Sequence, residues 1–331
     1  MTKSRGTLAS MTARRTPTIV LFGLLGLLWG GSFLLIKISL DGLTPAQVGL
    51  SRLALGAVTL TVVMVVTRRP WPRGRRVLGH LTVVAVLLFV LPVALYSWAG
   101  QFLPSSLSAV LNATTPLMTL IVSAIALRSE RLTARKVAGV LLGAAGITGV
   151  LAPWQNPASP GGLATAAGEP LFWVAVTACL AATLCYGGAY VWMRRFLLPA
   201  AATATYDPVS LTATQLLIAT ALTAAVTPWS GVFASSPELS LPVVVSMLVL
   251  GVLCTGLGYL WNTTITARWG AVRASQVTYL TPLVGIALGA AILAEPITWN
   301  QLAGTAAVLC GIALTRPTGT ARKNQAKTGR A

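Results

Sequence analysis

Arg52 is the strongest candidate in this sequence for a residue that binds a ligand, because it is a charged side chain within the apolar segment 46–67. A guanidinium group is a planar fork of N–H donors that matches the two oxygens of a carboxylate. Placing it inside a membrane costs roughly several kcal/mol unless it is paired or hydrated, and no carboxylate occurs deep in any apolar segment. Arg52 therefore has two interpretations: it hydrogen-bonds backbone carbonyls as a structural residue, or it binds the anionic group of a ligand.

Further polar and aromatic side chains occur in the central parts of the apolar segments. Any one of them is explained by a hydrogen bond between helices, because amide and hydroxyl groups need partners in an apolar environment. Together, aromatic walls with a few polar groups are typical of a site for a small, partly apolar solute. With Arg52, the candidate cavity residues are Trp29, Ser32, Tyr96, Asn112, Tyr186, Tyr190, Asn262, Gln276 and Tyr279.

These residues form no pattern that indicates catalysis or metal binding. Ser32 resembles an intramembrane nucleophile only superficially, because the single histidine, His80, lies near the start of segment 77–100 and not at the depth of a base. HExxH and P-loop motifs and paired intramembrane aspartates are absent. The four cysteines lie inside apolar segments without a CxxC pair, which predicts free thiols. We therefore expect no catalytic residue, no metal and no cofactor, and not an enzyme.

The elements that must position these side chains are membrane-spanning helices. Hydrophobic residues make up 55% of the chain and charged residues only 9%, against about 25% charged residues in a typical soluble protein. A helix needs about 20 predominantly apolar residues to cross a bilayer. The segments that satisfy this rule predict an all-α polytopic membrane protein with ten transmembrane helices, at 18–40, 46–67, 77–100, 104–127, 135–152, 170–193, 208–229, 241–265, 270–293 and 297–315.

The cations predict the orientation of these helices. The formal net charge of +18 does not indicate a nucleic-acid partner, because no soluble segment is long enough to form a basic domain. Every Lys and Arg except Lys37 and Arg52 lies at a terminus or at every second connection between spans. If the chain has ten spans, all of these cations lie on the same side of the membrane. The positive-inside rule then assigns both termini, the basic stretch 1–17 and the basic tail 316–331, to the cytoplasm. We expect a multi-pass protein of the cytoplasmic (inner) membrane.

The chain also contains an internal repeat. WGGSFLLIK at 29–37 matches YGGAYVWMR at 186–194, and Thr-Pro-Leu occurs at 115–117 and again at 281–283. Glu130, Gly139 and Gly146 recur as Glu295, Gly304 and Gly311 at identical spacing. The matches predict a first five-helix repeat at 18–152, an external linker at 153–169 and a second repeat at 170–315. Since each half has an odd number of spans, the halves are inverted relative to each other, as in many secondary transporters.

Some repeated residues suit a moving interface between the halves. Glycines in the first and sixth spans permit either close helix approach or bending, and the mid-span prolines remove backbone hydrogen bonds and kink a helix. Lys37 either extends to the membrane surface and pairs with Asp41 one turn later, or gates a pathway. Glu130 and Glu295 are expected to cap the starts of the fifth and tenth spans. The gating or hinge candidates are Gly30, Gly31, Lys37, Pro116, Gly187, Gly188 and Pro282.

Several motifs together resemble the EamA-type drug/metabolite transporter (DMT) superfamily. They are WGGSFLLIK, the arginine of the second span, the Thr-Pro-Leu triplets and E-x8-G-x6-G at the end of each half, over residues 18–316. The resemblance implies a ten-helix, inverted-repeat carrier of small organic solutes, often amino acids or other metabolites, commonly moved outward. It also implies a central cavity lined by both halves. The counterpart of Arg52 is Gln215, which departs from strict repetition and limits any role of the arginine to the first half.

Other functions remain open at this point. Multidrug or lipophilic-cation efflux is the alternative within transport, although the spans lack an acidic residue to select cations. A channel is expected to have a selectivity filter or a ring of charges, and an intramembrane enzyme lacks a base. Without a titratable carboxylate in the spans, facilitated transport or exchange is favoured over proton antiport. The expected partners are a small-molecule metabolite and the lipid bilayer, with no obligate protein partner because one chain contains both halves.

Overall fold

A computed structural model of the chain describes the backbone of residues 5–126, 133–151, 170–197, 199, 206–227, 237–269 and 275–315. Side chains are described for the same residues except 5–17, 170, 266–269 and 275–276. Glu130 and the basic tail lie outside the described residues. Every regular element in the described ranges is a helix, which confirms the predicted all-α class.

Eight of these helices are long and apolar enough to cross a membrane, and two further apolar helices are shorter. We number them in chain order and keep their bounds throughout. They are α1 (Thr18–Ser39, the apolar part of a helix that begins at Arg5), α2 (Pro45–Val66), α3 (Arg75–Ala99), α4 (Ser105–Ala126), α5 (Ala134–Leu151), α6 (Leu171–Leu197), α7 (Pro208–Val226), α8 (Leu241–Ile265), and the shorter α9 (Val277–Leu293) and α10 (Trp299–Leu314).

Local sequence signals fix where several of these helices begin. Thr44 and Gln47 form a reciprocal capping box at the start of α2, with Pro45 in the first turn. Asp207 accepts a hydrogen bond from the backbone N–H of Ser210 at the start of α7. Such caps satisfy backbone donors that have no partner within the helix, and each contributes about 1 kcal/mol. The helix starts therefore follow from polar residues next to apolar runs.

Two helices are irregular at repeat-equivalent positions, a few residues before a proline. Helix α4 consists of Ser105–Asn112 and Thr115–Ala126, and α9 begins with a 3₁₀ segment before it continues from Leu280. Because proline lacks an N–H and crowds the preceding turn, the regular hydrogen-bond ladder breaks there. Helix α8 also contains π-helical turns at Val249–Leu257. Irregular backbone at membrane depth is tolerated where it is covered by protein or lines a cavity.

One end of the bundle, which we call the acidic face, is defined by Asp41, Glu238 and Glu295. The end of α1 meets the segment before α8, where the Glu238 N–H donates to the Gly42 carbonyl oxygen at 3.0 Å. The end of α9 meets the start of α4 through Glu295. Helices α1 and α9 therefore end on the same side on which α4 and α8 begin.

The opposite end, which we call the arginine face, is defined by Arg69, Arg73 and Arg195. Arg69 at the end of α2 pairs with Asp207 at the start of α7, with Nη1 and Oδ2 3.0 Å apart. Arg195 at the end of α6 donates to the Ala126 carbonyl oxygen at the end of α4. The first helix of the chain thus ends at the acidic face and its repeat counterpart α6 ends at the arginine face. This arrangement is the inversion that the repeat predicts.

Glycines of the repeated E-x8-G-x6-G motif meet each other between α5 and α10. A Cβ atom added to Gly139 lies 2.5 Å from the Gly311 carbonyl oxygen, and one added to Gly311 lies 2.5 Å from the Gly139 oxygen. Gly146 and Gly304 face each other in the same reciprocal way. The two helices are therefore antiparallel and in backbone contact, since only glycine leaves room for this approach.

Glycines of α1 and α6 also pack closely, each against the other half of the chain. A Cβ atom on Gly30 meets the side chain of Val284 in α9 at 2.5 Å, and one on Gly187 meets the backbone N of Thr119 in α4 at 2.9 Å. Both helices run without interruption through their glycine pairs. Of the two predicted roles of these glycines, the structure therefore shows close approach, and bending remains a prediction.

Candidate functional site

A small cavity lies between the two halves at mid-bundle. Helices α1, α2, α3 and α4 of the first half and α6, α8 and α9 of the second contribute to its walls. The lining side chains are Trp29, Ser32, Phe33, Arg52, Leu88, Tyr96, Asn112, Thr115, Tyr186, Tyr190, Tyr259 and Thr278.

Repeat-equivalent residues line this cavity in pairs. Tyr186 follows Trp29 by 157 residues, and Tyr190 follows Phe33 by the same interval. The breaks of α4 and α9 form another pair, since the Thr115 hydroxyl donates to the Asn112 carbonyl oxygen at 2.7 Å, and Thr281 donates to that of Thr278 at 2.9 Å. The cavity therefore lies where the inverted halves meet, the usual position of a substrate site in inverted-repeat transporters.

Among the described residues that line the cavity, Arg52 is the only charged one, and it is 7% exposed. Its Nε–H donates to the hydroxyl oxygen of Thr255 in α8 at 2.8 Å. Within the described part of the chain, its terminal nitrogens Nη1 and Nη2 have no hydrogen-bond acceptor, and no carboxylate lies within ion-pair distance. One edge of the guanidinium is held by the protein and the other is available to an acceptor in the cavity.

The irregular turns of α8 create the position of Thr255. In π-helical turns the backbone bonds skip one residue further than in an α-helix, and the Thr255 hydroxyl donates to the carbonyl oxygen of Leu250 at 2.9 Å. That bond directs the hydroxyl lone pairs towards Arg52. Gly56 of α2 faces the Thr255 methyl group, where an added Cβ lies 2.8 Å away. The second half thus fixes the orientation of an arginine that belongs to the first half.

Aromatic rings form the other walls of the cavity. The Tyr259 ring lies 5.2 Å from the ring of Trp29 and 4.6 Å from that of Phe89, measured between centroids. Phe33 makes an edge contact with Tyr96 at 5.2 Å. The Tyr96 hydroxyl donates to Asn112 Oδ1 at 3.2 Å. These contacts are typical of aromatic pairs in packed interiors, and they leave hydroxyl groups beside Arg52.

The cavity is small in this conformation, with a volume of about 40 Å³. A water molecule needs about 10–15 Å³ by the same measure, so the space holds a few waters and no metabolite. A larger cavity of about 350 Å³ lies between α2 and α8 at the acidic face, but apart from Gln47 and Ser51 the described residues of its lining are apolar. The charged and polar groups of its lining therefore favour the small central cavity as the candidate site.

The structure brings most of the predicted cavity residues together. Seven line the cavity, namely Trp29, Ser32, Arg52, Tyr96, Asn112, Tyr186 and Tyr190. Asn262 is buried and lies beside Tyr190, behind the cavity wall. Tyr279 instead packs against the cluster formed by α4 and α10. The side chain of Gln276 lies outside the described residues.

Two lining residues that the sequence analysis did not select were detectable from the repeat. Tyr259 follows Tyr96 by 163 residues, the interval that separates Gln215 from Arg52. Thr278 precedes Thr281 by three residues, as Asn112 precedes Thr115. Extending the repeat through every polar or aromatic position would have found both. Phe33 was detectable in the same way, as the counterpart of Tyr190, whereas Leu88 is apolar and no chemical signal marks it.

At the acidic face, Glu295 joins the second half to the first. Its Oε1 accepts the Ser105 N–H at 2.7 Å and its Oε2 accepts the Ser106 N–H at 3.0 Å. The predicted cap at the start of α10 is therefore wrong for Glu295: Thr298 caps that helix, and Glu295 caps α4. A carboxylate suits a helix N-terminus because several N–H groups there lack partners.

Lys37 is also bound at the acidic face, on the other side of the same turn. Its Nζ donates to the carbonyl oxygens of Gly100 at 2.9 Å and Leu103 at 3.4 Å. The predicted pair with Asp41 is wrong, since the structure forms no ion pair between these two described residues. Lys37 and Glu295 thus bind opposite ends of the turn between α3 and α4, residues 100–104, which we call the α3–α4 turn.

Comparison with known proteins identifies the family of this chain. The EamA-like transporter family matches residues 16–152 and 173–316, one match for each half. Among relatives, Protein PagO of Salmonella typhimurium is 22% identical and the alignment covers 91% of this chain and 93% of that protein. An uncharacterized transporter of Archaeoglobus fulgidus is 27% identical, covering 86% and 93%, and the uncharacterized transporter YvbV of Bacillus subtilis is 25% identical, covering 93% and 94%.

A solved crystal structure shares the fold, with a TM-score of 0.61 and 20% identity over 90% of this chain and 96% of that one. The family matches cover almost the whole chain, in the two halves in which the glycine motifs and cavity residues repeat. The protein is a multi-pass membrane protein that belongs to the EamA-like transporter family of the drug/metabolite transporter superfamily.

Proposed function

We propose that the protein exports small carboxylate-bearing metabolites, amino acids or related compounds, by alternating access through the central cavity. The observation that carries this proposal is Arg52, a cavity guanidinium whose Nη atoms have no acceptor among the described residues. A desolvated arginine strongly favours an anionic partner, and a carboxylate matches its two parallel donors. The surrounding hydroxyl groups and aromatic rings suit the remaining part of a small, partly apolar solute.

The charge distribution supports an orientation for this transport. Arginines concentrate at one end of the bundle, while Asp41, Glu238 and Glu295 lie at the other. The positive-inside rule assigns the arginine face and both termini to the cytoplasm, in the inner membrane. The acidic face is then external, and export requires the α3–α4 turn to move so that the cavity opens there.

The contacts of Glu295 make the α3–α4 turn a gate in this proposal. The carboxylate belongs to the second half and its two N–H donors belong to the first, so the halves cannot separate at this end without breaking both bonds. Hydrogen bonds to a charged group contribute about 1.5–3 kcal/mol. Losing them shifts the population towards an externally open state.

Glu295→Ala is expected to raise the external accessibility of the first turn of α4 by about tenfold or more. The measurement is the labelling rate of Ser108→Cys by a membrane-impermeant thiol reagent, in a background that lacks the four native cysteines. Ser108 is buried in α4, one turn below the gate. Glu238→Ala is the matched control, because Glu238 is an exposed carboxylate at the same face. Equal labelling rates in the two variants would remove Glu295 from the gate.

Efflux of lipophilic cations is the second candidate function, and the aromatic walls favour it. Trp29 and Tyr259 line the cavity, and the faces of such rings attract cations. Against it, the cavity carries a positive charge at Arg52 and the lining residues that the structure describes include no carboxylate, so a permanent cation meets repulsion. The carboxylate substrate is therefore the better match to the charge of the site.

Counterflow in proteoliposomes tests the proposed function. Vesicles with purified protein are preloaded with pooled amino acids, and uptake of labelled amino acids from outside is recorded over time. Saturable uptake that exceeds that of protein-free and unloaded vesicles supports the carrier. A parallel series uses a labelled lipophilic cation. Counterflow of the cation alone, in folded protein, would replace the metabolite proposal by the second candidate.

A further inference from the structure

We propose that residues 68–76, the α2–α3 connection together with the first two residues of α3, bind the phosphate groups of acidic phospholipids; we call this segment the arginine loop. The sequence of the loop is RRPWPRGRR, in which five of nine residues are arginine. This interaction surface is separate from the central cavity, and it depends on neither the transported substrate nor the direction of transport.

The loop is placed at the lipid boundary by the helix that precedes it. Val58, Val62, Val65 and Val66 are exposed on α2, and in a membrane-spanning helix an exposed apolar side faces lipid. The arginine loop begins two residues after Val66. Its Trp71 is 40% exposed, and tryptophan is enriched at the level of lipid headgroups. The position of the loop therefore favours headgroups over a soluble partner.

The arginines of the loop differ in their protein contacts. Arg69 pairs with Asp207. The side chains of Arg68, Arg75 and Arg76 are exposed and, among the residues that the structure describes, contact neither a carboxylate nor another acceptor. These three guanidinium groups are exposed and retain donors for an anionic ligand. Basic clusters immediately beyond a membrane helix attract anionic lipid through such groups.

The loop is also fixed to the second half of the protein. The Arg73 N–H donates to the Tyr206 hydroxyl at 2.7 Å, and this hydroxyl donates back to the Arg73 carbonyl oxygen at 3.3 Å. Asp207, the partner of Arg69, caps α7. A lipid phosphate bound to the loop neutralises repulsion among its arginines and so stabilises the contact between α2 and α7. Acidic lipid is therefore expected to stabilise the folded protein.

The test is the thermal unfolding midpoint of the full chain in neutral detergent, with added dioleoylphosphatidylglycerol or dioleoylphosphatidylcholine. We expect the acidic lipid to raise the midpoint by roughly 3 °C or more beyond the neutral lipid, by mass action on the folded state. Arg68→Gln/Arg75→Gln/Arg76→Gln should lose most of this difference. The triple lysine variant at the same positions keeps the charge and should retain it.

Two controls separate this surface from other sources of the effect. Arg322→Gln/Lys323→Gln/Lys327→Gln removes the same charge from the carboxyl-terminal tail and should leave the difference intact. An equal loss in the tail variant, or an unchanged difference in the loop glutamine variant, would overturn the proposal. So would an equal midpoint shift with inorganic phosphate, which would indicate a soluble anion. If the glutamine variant does not fold, the wild-type protein is measured in 0.5 M NaCl instead. Salt should screen the arginines and abolish the difference in unfolding midpoint between the acidic and the neutral lipid. A difference that persists in 0.5 M NaCl would contradict the proposal.

Discussion

Arg52→Gln is expected to lower the transport efficiency for carboxylate-bearing substrates, kcat/KM in counterflow, by about 100-fold or more. The substitution removes the charge and the parallel donors while it keeps a polar, uncharged side chain that is two bonds shorter. Arg52→Lys restores the charge without the planar fork and should recover only part of the activity. Counterflow of wild type and variants, with the amount of folded protein in each vesicle preparation measured, gives the comparison.

Substitutions of Thr255 test whether Arg52 binds substrate or has a structural role. Thr255→Val leaves the guanidinium in place but removes the acceptor of its Nε–H, so KM should rise about tenfold, and Thr255→Ser should restore it. Gln215→Ala is the matched control, because it removes a buried polar side chain at the repeat counterpart of Arg52. Unchanged kinetics in folded Arg52→Gln would demote the arginine to a structural residue.

Gly311→Leu is expected to destabilise the fold by roughly 3 kcal/mol or more, the upper range for overpacking a well-packed contact. The position faces the Gly139 carbonyl oxygen and the backbone N of Gly143, at 2.5 and 2.7 Å from an added Cβ. Neither neighbour is the flexible end of a side chain, so α5 and α10 must separate. The measurement is the unfolding midpoint in detergent, together with the fraction of monodisperse protein.

Gly23→Leu provides the matched control for this change. Gly23 lies in α1, and an added Cβ there meets no atom within 4 Å. The same substitution in a membrane-spanning helix should therefore leave the midpoint nearly unchanged. Equal loss of stability in both variants would show that leucine harms any helix of this bundle, and the backbone contact between α5 and α10 would lose its special role.

The helices and their inversion were predictable from sequence because they depend on local and periodic properties. The length of an apolar run sets a membrane span, and alternate clusters of arginine set the side on which each connection lies. The interruptions before Pro116 and Pro282 were also predictable, because proline removes a backbone donor regardless of its surroundings. The π-helical turns of α8 were not, since no residue at 249–257 marks them in the way that proline does.

The partners of Lys37 and Glu295 could not be predicted from local spacing. Asp41 is one turn from Lys37, but the carbonyl groups at the end of α3 lack donors and lie close enough to bind the ammonium group. In the same way, the free N–H groups at the start of α4 bind Glu295. The tertiary arrangement determines which helix ends lie next to each other, and it therefore determines the partners of both Lys37 and Glu295.

The cavity shows which site residues can be predicted from residue type and which need the internal repeat as well. Trp29, Tyr186 and Arg52 were selected because of their chemistry, and the structure places all three in one lining. Tyr279 was selected for the same reason but points into a different cluster. Residue type alone does not determine which side of a helix faces the cavity. Pairing each position with its counterpart in the other half supplies that information for Tyr259 and Thr278.

The most direct test of the central claim is a competition measurement in wild-type proteoliposomes. Counterflow of a labelled amino acid is recorded while an unlabelled amino acid, or the methyl ester of the same amino acid, is added in increasing concentration. If Arg52 binds the substrate carboxylate, the free acid competes and the ester, which lacks the negative charge and carries an added methyl group, competes at least about tenfold more weakly. Equal or stronger competition by the ester would contradict carboxylate recognition in the cavity.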